Sequence, residues 1–222
     1  MSQCCSSLCD STAKQFDAAR AARDLAAYRA NGPGKTTLGL LEGLAGTGVQ
    51  PRTLLDIGAG IGTLSFELLE DGVSTATCVD MSPAFVECGQ REAVQRGFAH
   101  RMSWRTADFV MVAPELPPAD LVTLDRVVCC YPAFDALLRH AADHAEILLA
   151  MSYPKDRWYV RIALGAENFL RKLRNNAFRT FAHSPSKMDA LLVGAGFRRL
   201  SRASTTIWRI DIYRRATTMT SA

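Results

Sequence analysis

The 222-residue sequence lacks a long apolar run. No stretch approaches the roughly 18 consecutive apolar residues that a membrane-spanning helix needs. It also lacks the apolar core of a secretory signal, because Cys4, Cys5 and Cys9 stand among serines and an aspartate near the N-terminus. These two absences predict a protein of the cytoplasm.

The seven cysteines lack the spacing of a zinc site. They include two clusters: Cys4, Cys5 and Cys9, and Cys129 and Cys130. Neither cluster contains a C-x-x-C pair, and in a cytosolic chain cysteines argue against a disulfide framework. We expect a loose tail over residues 1–12 and no metal site. The alternative is that the two clusters meet around a soft metal or a metalloid.

Charge is divided unevenly along the chain. Residues 1–150 carry 12 Lys/Arg against 18 Asp/Glu, whereas residues 151–222 carry 14 against 4. A basic C-terminal third favours an acidic partner, such as a carboxylated or phosphorylated small molecule, a nucleic acid or an anionic membrane surface. It also fits a basic face that only contacts solvent.

Short apolar segments alternate with helical patterns from residue 53 onward, which predicts an α/β fold. The predicted strands are Thr53–Ile57, Thr75–Val79, Met102–Thr106, Ala119–Leu124 and Ile147–Ser152, followed by the pair Phe197–Ala203 and Thr205–Arg214. Such alternation predicts a mostly parallel sheet with helices on both faces. Before it, residues 1–48 read as the tail and a helical cap, with helices at about 14–28 and 35–46. The sheet domain would then span residues 49–222.

A glycine-rich turn follows the first strand. The run Asp56-Ile57-Gly58-Ala59-Gly60-Ile61-Gly62 ends a strand and opens a helix, where ligands bind in open α/β sheets. A dinucleotide site needs a third glycine, but Thr63 or Ser65 stands there in the two registers. An acid at position 56 suits the amino group of a methionine moiety better than it suits a pyrophosphate.

Two further acids follow the next strands in order. Asp80 ends the second strand, where a carboxylate can accept the hydroxyls of a ribose. Asp108 follows the third strand, where it can take an adenine amino group while Phe109 packs on the ring. Three acids in this order favour a nucleoside that carries an amino acid.

On these motifs the chain resembles the class I S-adenosylmethionine-dependent methyltransferases over about residues 50–214. The resemblance implies a Rossmann-like, seven-stranded sheet with an antiparallel last strand. It also implies S-adenosylmethionine as cofactor and S-adenosylhomocysteine as product. The residues expected to hold the cofactor are Asp56, Gly58, Gly60, Gly62, Asp80, Met81, Asp108, Phe109 and Asp125.

The layout is also similar to that of magnesium-protoporphyrin methyltransferases, which esterify a propionate carboxylate. In those enzymes a catalytic Tyr lies in the N-terminal helix, which corresponds to Tyr28. They carry a catalytic His where this chain has Cys130, a departure that argues against a porphyrin acceptor. The residues expected to line the acceptor site are Tyr28, Arg126, Cys130 and Tyr131.

A basic, aromatic insertion is expected after the fifth strand, at residues 154–186. Seven Lys/Arg stand there against Asp156 and Glu167, with aromatic residues between them. This composition suits a cover over a small, flat, anionic acceptor, because Arg pairs well with carboxylates. We therefore expect O-methylation of a carboxylate and no DNA partner. The alternatives are contact with an anionic membrane, a metalloid acceptor, or a non-catalytic cofactor- or RNA-binding module.

Overall fold

The computed structural model describes residues 7–216, apart from the side chain of Ser7. Its strands are β1 Thr53–Ile57, β2 Thr75–Asp80, β3 Met102–Thr106, β4 Ala119–Asp125, β5 Ala145–Pro154, β6 Phe197–Ser204 and β7 Trp208–Arg215. Its α-helices are α1 Ser7–Gln15, α2 Ala18–Asn31, α3 Lys35–Ala45, α4 Thr63–Glu70, α5 Pro83–Gln95, α6 Phe109–Val112, α7 Phe134–His144, α8 Trp158–Leu173 and α9 Pro185–Gly194.

The seven strands form one sheet in the order β3-β2-β1-β4-β5-β7-β6. Strands β1 to β5 are parallel, and β7 runs antiparallel to both β5 and β6. Two apolar clusters cover the two faces of the sheet. The α/β, Rossmann-like fold with an antiparallel last strand is therefore confirmed. Strand β5 is longer than expected because β7 pairs with it as far as Pro154.

The N-terminal segment differs from the expectation. Instead of a loose tail to residue 12 and one helix, residues 7–15 form α1, and a separate helix α2 begins at Ala18. Asp17 separates them because its carboxylate accepts a hydrogen bond from the backbone N–H of Arg20 at 2.8 Å, which caps α2. Phe16 anchors the junction by edge-on contacts with Phe85 and Phe178.

The insertion at residues 154–186 contains α8 and an irregular return to α9. The return is fixed to the loop after β4, since the N–H of Phe181 donates to the carbonyl of Cys129 at 2.7 Å. The outer face of α8 exposes Trp158, Ile162 and Phe169. Within residues 7–216, no helix combines the length and apolar character that crossing a bilayer would require.

Candidate active site

A cavity of about 300 Å³ opens at the carboxyl ends of β1, β2 and β4. Eight of the residues expected at the site line it: Gly58, Gly60, Asp80, Met81, Asp125, Arg126, Cys130 and Tyr131. The crossing point of a doubly wound sheet brings these strand ends together, although they lie far apart in sequence.

The glycine-rich turn forms the floor of this cavity. Gly58 and Gly60 have φ angles of 66° and 59°, a left-handed conformation that glycine adopts without strain. The N–H of Gly60 donates to Asp80 at 2.8 Å, and the second carboxylate oxygen of Asp80 accepts from Ser82 N–H at 2.8 Å. Burial raises the pKa of Asp80 while these two N–H groups oppose the rise. Each oxygen still has a lone pair for a ligand hydroxyl.

Asp56 lies beneath the turn and does not line the cavity. Its two oxygens accept hydrogen bonds from the hydroxyls of Ser65 and Thr123, each at 2.7 Å. Burial raises the pKa of Asp56 to about 6. In this position the carboxylate holds the first turn of α4 against β1 and β4.

Asp125 joins three elements at the end of β4. One of its oxygens accepts from Thr37 of α3 at 2.6 Å, and the other accepts from Ser152 of β5 at 2.5 Å. The hydroxyl of Ser152 in turn accepts from the N–H of Arg126 at 2.8 Å. Arg126 has a φ of 61°, which is strained for a residue other than glycine. Its side chain is 58% exposed and lines the cavity.

Two adjacent thiols follow Arg126. The sulfur atoms of Cys129 and Cys130 are 3.7 Å apart. The hydrogen bond from Cys129 and the nearby guanidinium of Arg171 lower the pKa of Cys130. The hydrogen bond to Cys130, followed by burial, raises the pKa of Cys129. Cys130 is thus the thiol of the pair that ionises more readily.

Asp108 and Phe109 lie behind the cavity wall. Both oxygens of Asp108 accept from the hydroxyl of Tyr131 at 3.0 Å. Phe109 is buried and meets the ring of His144 edge-on, with centroids 5.7 Å apart. Tyr131 is therefore the residue that connects this pair to the cavity.

Tyr28 and Gly62 also lie outside the cavity lining. The hydroxyl of Tyr28 donates to Glu67 at 2.7 Å, and its ring stacks on Phe66, so the side chain fills the space between α2 and α4. A Cβ on Gly62 would come within 2.8 Å of Trp104, so this glycine makes room for packing. Since neither residue lines the cavity, their expected contact with a ligand stays a prediction.

Several cavity residues come from segments without a motif. The aromatic walls are Phe16, Phe85, Phe178 and Trp208, and polar side chains reach in from α1 and α2. Only tertiary packing brings them to the cavity, so no spacing in the sequence marks them.

The arginines of the insertion divide between two places. Arg171 reaches the cavity, where it contacts Glu167, Asn168 and Thr180. Arg157 and Arg161 lie elsewhere, and Arg161 is paired with Asp156 at 2.6 Å. Only part of the insertion's positive charge therefore faces a ligand in this cavity.

Within residues 7–216, no group of three or more His, Cys, Asp or Glu is placed to hold a metal ion. Cys9 is buried and disulfide-bonded, a bond that the cysteine spacing does not indicate. Cys4 and Cys5 lie outside the described residues.

Comparison with known proteins gives a consistent result. A family model described as a methyltransferase domain matches residues 55–146. None of the curated proteins compared with the chain matches it. Among solved structures, magnesium protoporphyrin IX methyltransferase from Synechocystis PCC 6803 with bound S-adenosylhomocysteine has a TM-score of 0.66 at 22% identity, covering 82% of each chain.

Two further structures share this fold. The same Synechocystis enzyme with bound S-adenosylmethionine gives a TM-score of 0.65 at 21% identity, covering 82% of this chain and 79% of that one. Human N-acetylserotonin methyltransferase in complex with S-adenosylmethionine gives 0.60 at 19% identity, covering 82% of this chain and 52% of that one. At these identities the likeness establishes the fold.

Proposed function

We propose that this chain is an S-adenosylmethionine-dependent methyltransferase and that it methylates a carboxylate oxygen of a small acceptor with a flat, apolar body. The observation that carries the proposal is the exposed guanidinium of Arg126, which lines a cavity walled by Phe16, Phe85, Phe178 and Trp208. A flat anion would pack on these rings while its carboxylate meets Arg126.

The chain's own residues fit the cofactor. The left-handed turn at Gly58 and Gly60 lets backbone approach a ligand closely, and Asp80 faces the same cavity with lone pairs free for ribose hydroxyls. When bound, S-adenosylmethionine supplies an electrophilic methyl group. Met81 and Asp125 complete the lining on either side of the turn.

The polar groups beside the acceptor position are already engaged. Asp125 accepts from two hydroxyls, and the hydroxyl of Tyr131 donates to Asp108. A carboxylate acceptor is ionised at neutral pH and needs no base. The remaining task of the protein is to hold the acceptor in line and to exclude water, and orientation of this kind supplies much of the rate of such a transfer.

The acceptor class can be tested with methyl-labelled cofactor and a panel of aromatic carboxylic acids, each paired with its own amide. We expect label to enter the acids only, in a product that mild alkali hydrolyses to methanol. An alkali-stable product, or equal labelling of the amides, would contradict carboxylate methylation. It would leave the methyltransferase activity itself intact.

The substitution Arg126→Gln tests whether Arg126 binds the carboxylate of the acceptor. Loss of a charge-assisted contact on a partly exposed group should raise the KM for the acid about 3- to 30-fold. Affinity for S-adenosylhomocysteine should stay within twofold. Arg161→Gln is the matched control, since Arg161 is exposed and pairs with Asp156 away from the cavity. Equal KM values in the two variants would remove Arg126 from the acceptor site.

The adjacent thiols favour a second candidate, a soft metalloid acceptor. Cys130 lines the cavity with a lowered pKa, and the sulfur of Cys129 lies 3.7 Å away, close enough for both thiolates to bind one metalloid atom. Adding arsenite to the same labelling assay tests this candidate. Methylated arsenic formed by the wild type but not by Cys130→Ser would support it over the carboxylate.

A further inference from the structure

A second pocket lies on the opposite face of β7 from the cavity. Its volume is about 440 Å³, and it opens between the sheet edge, the start of the insertion and the first turn of α9. Side chains alternate along β7, so Trp208 lines the cavity while Arg209 lines this pocket. We call it the arginine pocket, after its lining residues Arg157, Arg199, Arg202 and Arg209.

Two of these four guanidiniums are neutralised by carboxylates. Arg202 makes a two-point contact with the buried Asp211, at 2.7 and 2.9 Å. Arg199 pairs with Asp189 at 2.6 Å. These pairs are part of the packing between β6, β7 and α9, and they hold the wall of the pocket in place.

The other two guanidiniums lack such partners. Within residues 7–216, no carboxylate lies within ion-pair distance of Arg157 or Arg209, and Asp156 on the pocket rim is already paired with Arg161. Moreover, the Nε of Arg209 is buried with no hydrogen-bond partner. A buried donor without a partner is costly, and an anion is a common reason for one.

The first turn of α9 adds neutral donors. Ser184 is its N-cap residue but makes no side-chain cap, and Pro185 has no N–H, so the N–H groups of Ser186 and Lys187 are the uncapped donors of this ten-residue helix. The hydroxyls of Ser184 and Ser186 lie 2.9 Å apart on the same rim. Helix N-termini attract anions through these N–H groups and the helix dipole.

We propose that the arginine pocket is a binding site for a phosphate dianion, either inorganic phosphate or the phosphoryl group of a phosphomonoester. Four guanidiniums and two carboxylates, those of Asp156 and Asp189, line the pocket, so the excess of two positive charges equals the charge of the dianion. The site is separate from the cavity and does not depend on the acceptor proposed above.

Calorimetry tests this proposal. The full chain is titrated with inorganic phosphate at constant ionic strength, with chloride as the competing anion. We expect saturable binding at pH 8, where phosphate is a dianion, and about tenfold weaker binding at pH 5.5. Phenyl phosphate distinguishes the two sources: tighter binding than phosphate indicates a phosphomonoester, and weaker binding indicates the free ion. Binding no stronger than that of chloride would overturn the proposal.

Substitutions locate the site. Arg209→Gln should weaken phosphate binding about ten- to hundredfold, because a charge-assisted contact is lost. The matched control is Arg198→Gln, an equal loss of charge at an exposed position of β6 outside the pocket. If Arg209→Gln does not fold, the exposed Arg157→Gln decides. Affinity for S-adenosylhomocysteine, measured in parallel, reports that each variant is intact. Phosphate binding that is unchanged in Arg157→Gln and in a folded Arg209→Gln would also overturn the proposal.

Discussion

The hydroxyl of Tyr131 donates to both carboxylate oxygens of Asp108, at 3.0 Å each. This contact joins the loop after β4 to the start of α6, whose first turn Asp108 caps through Val110 N–H. Burial and the neighbouring carboxylate raise the pKa of Tyr131, so its hydroxyl remains a donor throughout the neutral range. The stabilisation of the fold by the protonated Tyr131 hydroxyl is present below pH 10 and is lost as the pH rises further.

Tyr131→Phe should therefore lower the free energy of unfolding by about 1–3 kcal/mol, because a buried carboxylate loses a donor. Urea unfolding at pH 7.5 measures this difference. Tyr159→Phe is the control, since the hydroxyl of Tyr159 makes a solvent-exposed bond to Thr206 and its loss should change little. Equal stability of the two variants would show that the Tyr131–Asp108 contact does not stabilise the fold.

The buried carboxyl of Asp56 predicts a pH dependence of stability. Its pKa is about 6 in the folded chain, against an ordinary value of 3.8. The folded state therefore retains a proton that the unfolded state has lost. The stabilisation from this proton is full below pH 4 and is lost as the pH rises through 6, a change of at most about 3 kcal/mol.

Asp56→Asn removes the titrating group but keeps two hydrogen-bonding atoms for Ser65 and Thr123. We expect this variant to be more stable than the wild type at pH 7.5 and to show a flatter profile between pH 4 and 6. Urea unfolding across this range provides the measurement, with the exposed Asp143→Asn as control. A slope as steep as that of the wild type would assign the effect to another group.

We expect Asp80 to contribute to the affinity for the cofactor. Asp80→Ala should weaken binding of S-adenosylmethionine by about 1.5–3 kcal/mol, because a charged acceptor of ribose hydroxyls is lost. Calorimetry on the folded variant measures the change, and Asp143→Ala is the matched control. Asp56→Asn should change the affinity less than Asp80→Ala, since Asp56 does not line the cavity. An unchanged dissociation constant in Asp80→Ala would contradict the proposed contact.

The lowered pKa of Cys130 predicts its reactivity. At pH 7.5, Cys130 should react with iodoacetamide faster than Cys78, Cys88 or Cys129, because it ionises more readily and it is the only one of these four thiols that is not buried. S-adenosylhomocysteine should slow the reaction, since Cys130 lines the cavity. Peptide mass spectrometry at short times identifies the modified thiol. Faster labelling of Cys88 would contradict the assignment.

The sequence predicts the sheet well because each strand is a short apolar segment bounded by turn residues. The limits of Thr53–Ile57 and Met102–Thr106 agree with the structure residue for residue. Helix α1 is different, because residues 7–15 have a weak apolar pattern. This helix is followed by Phe16, whose ring contacts two aromatic residues distant in sequence. Contacts of that kind leave no local pattern.

The residues of the candidate site also differ in how well the sequence predicts them. Residues at strand ends, such as Asp80 and Asp125, reach the cavity because topology alone brings strand ends together. Tyr28 was expected there only through a resemblance, and the orientation of α2 turns its ring toward Phe66. Two of the aromatic wall residues, Phe16 and Phe178, reach the cavity through the packing of the α1–α2 junction against the insertion, which no spacing in the sequence encodes.

The return segment of the insertion is held differently along its two edges. One edge is joined to the loop after β4 by the backbone hydrogen bond from Phe181 to Cys129. The other edge meets α1 through side chains: Asn176 donates to Gln15 at 2.8 Å, and Phe178 contacts Phe16. A nine-residue helix such as α1 is marginal by itself in water. The edge that faces α1 thus depends on side-chain contacts with a helix of marginal stability. We expect this edge to separate more readily than the edge that is joined to the loop after β4 by a backbone hydrogen bond.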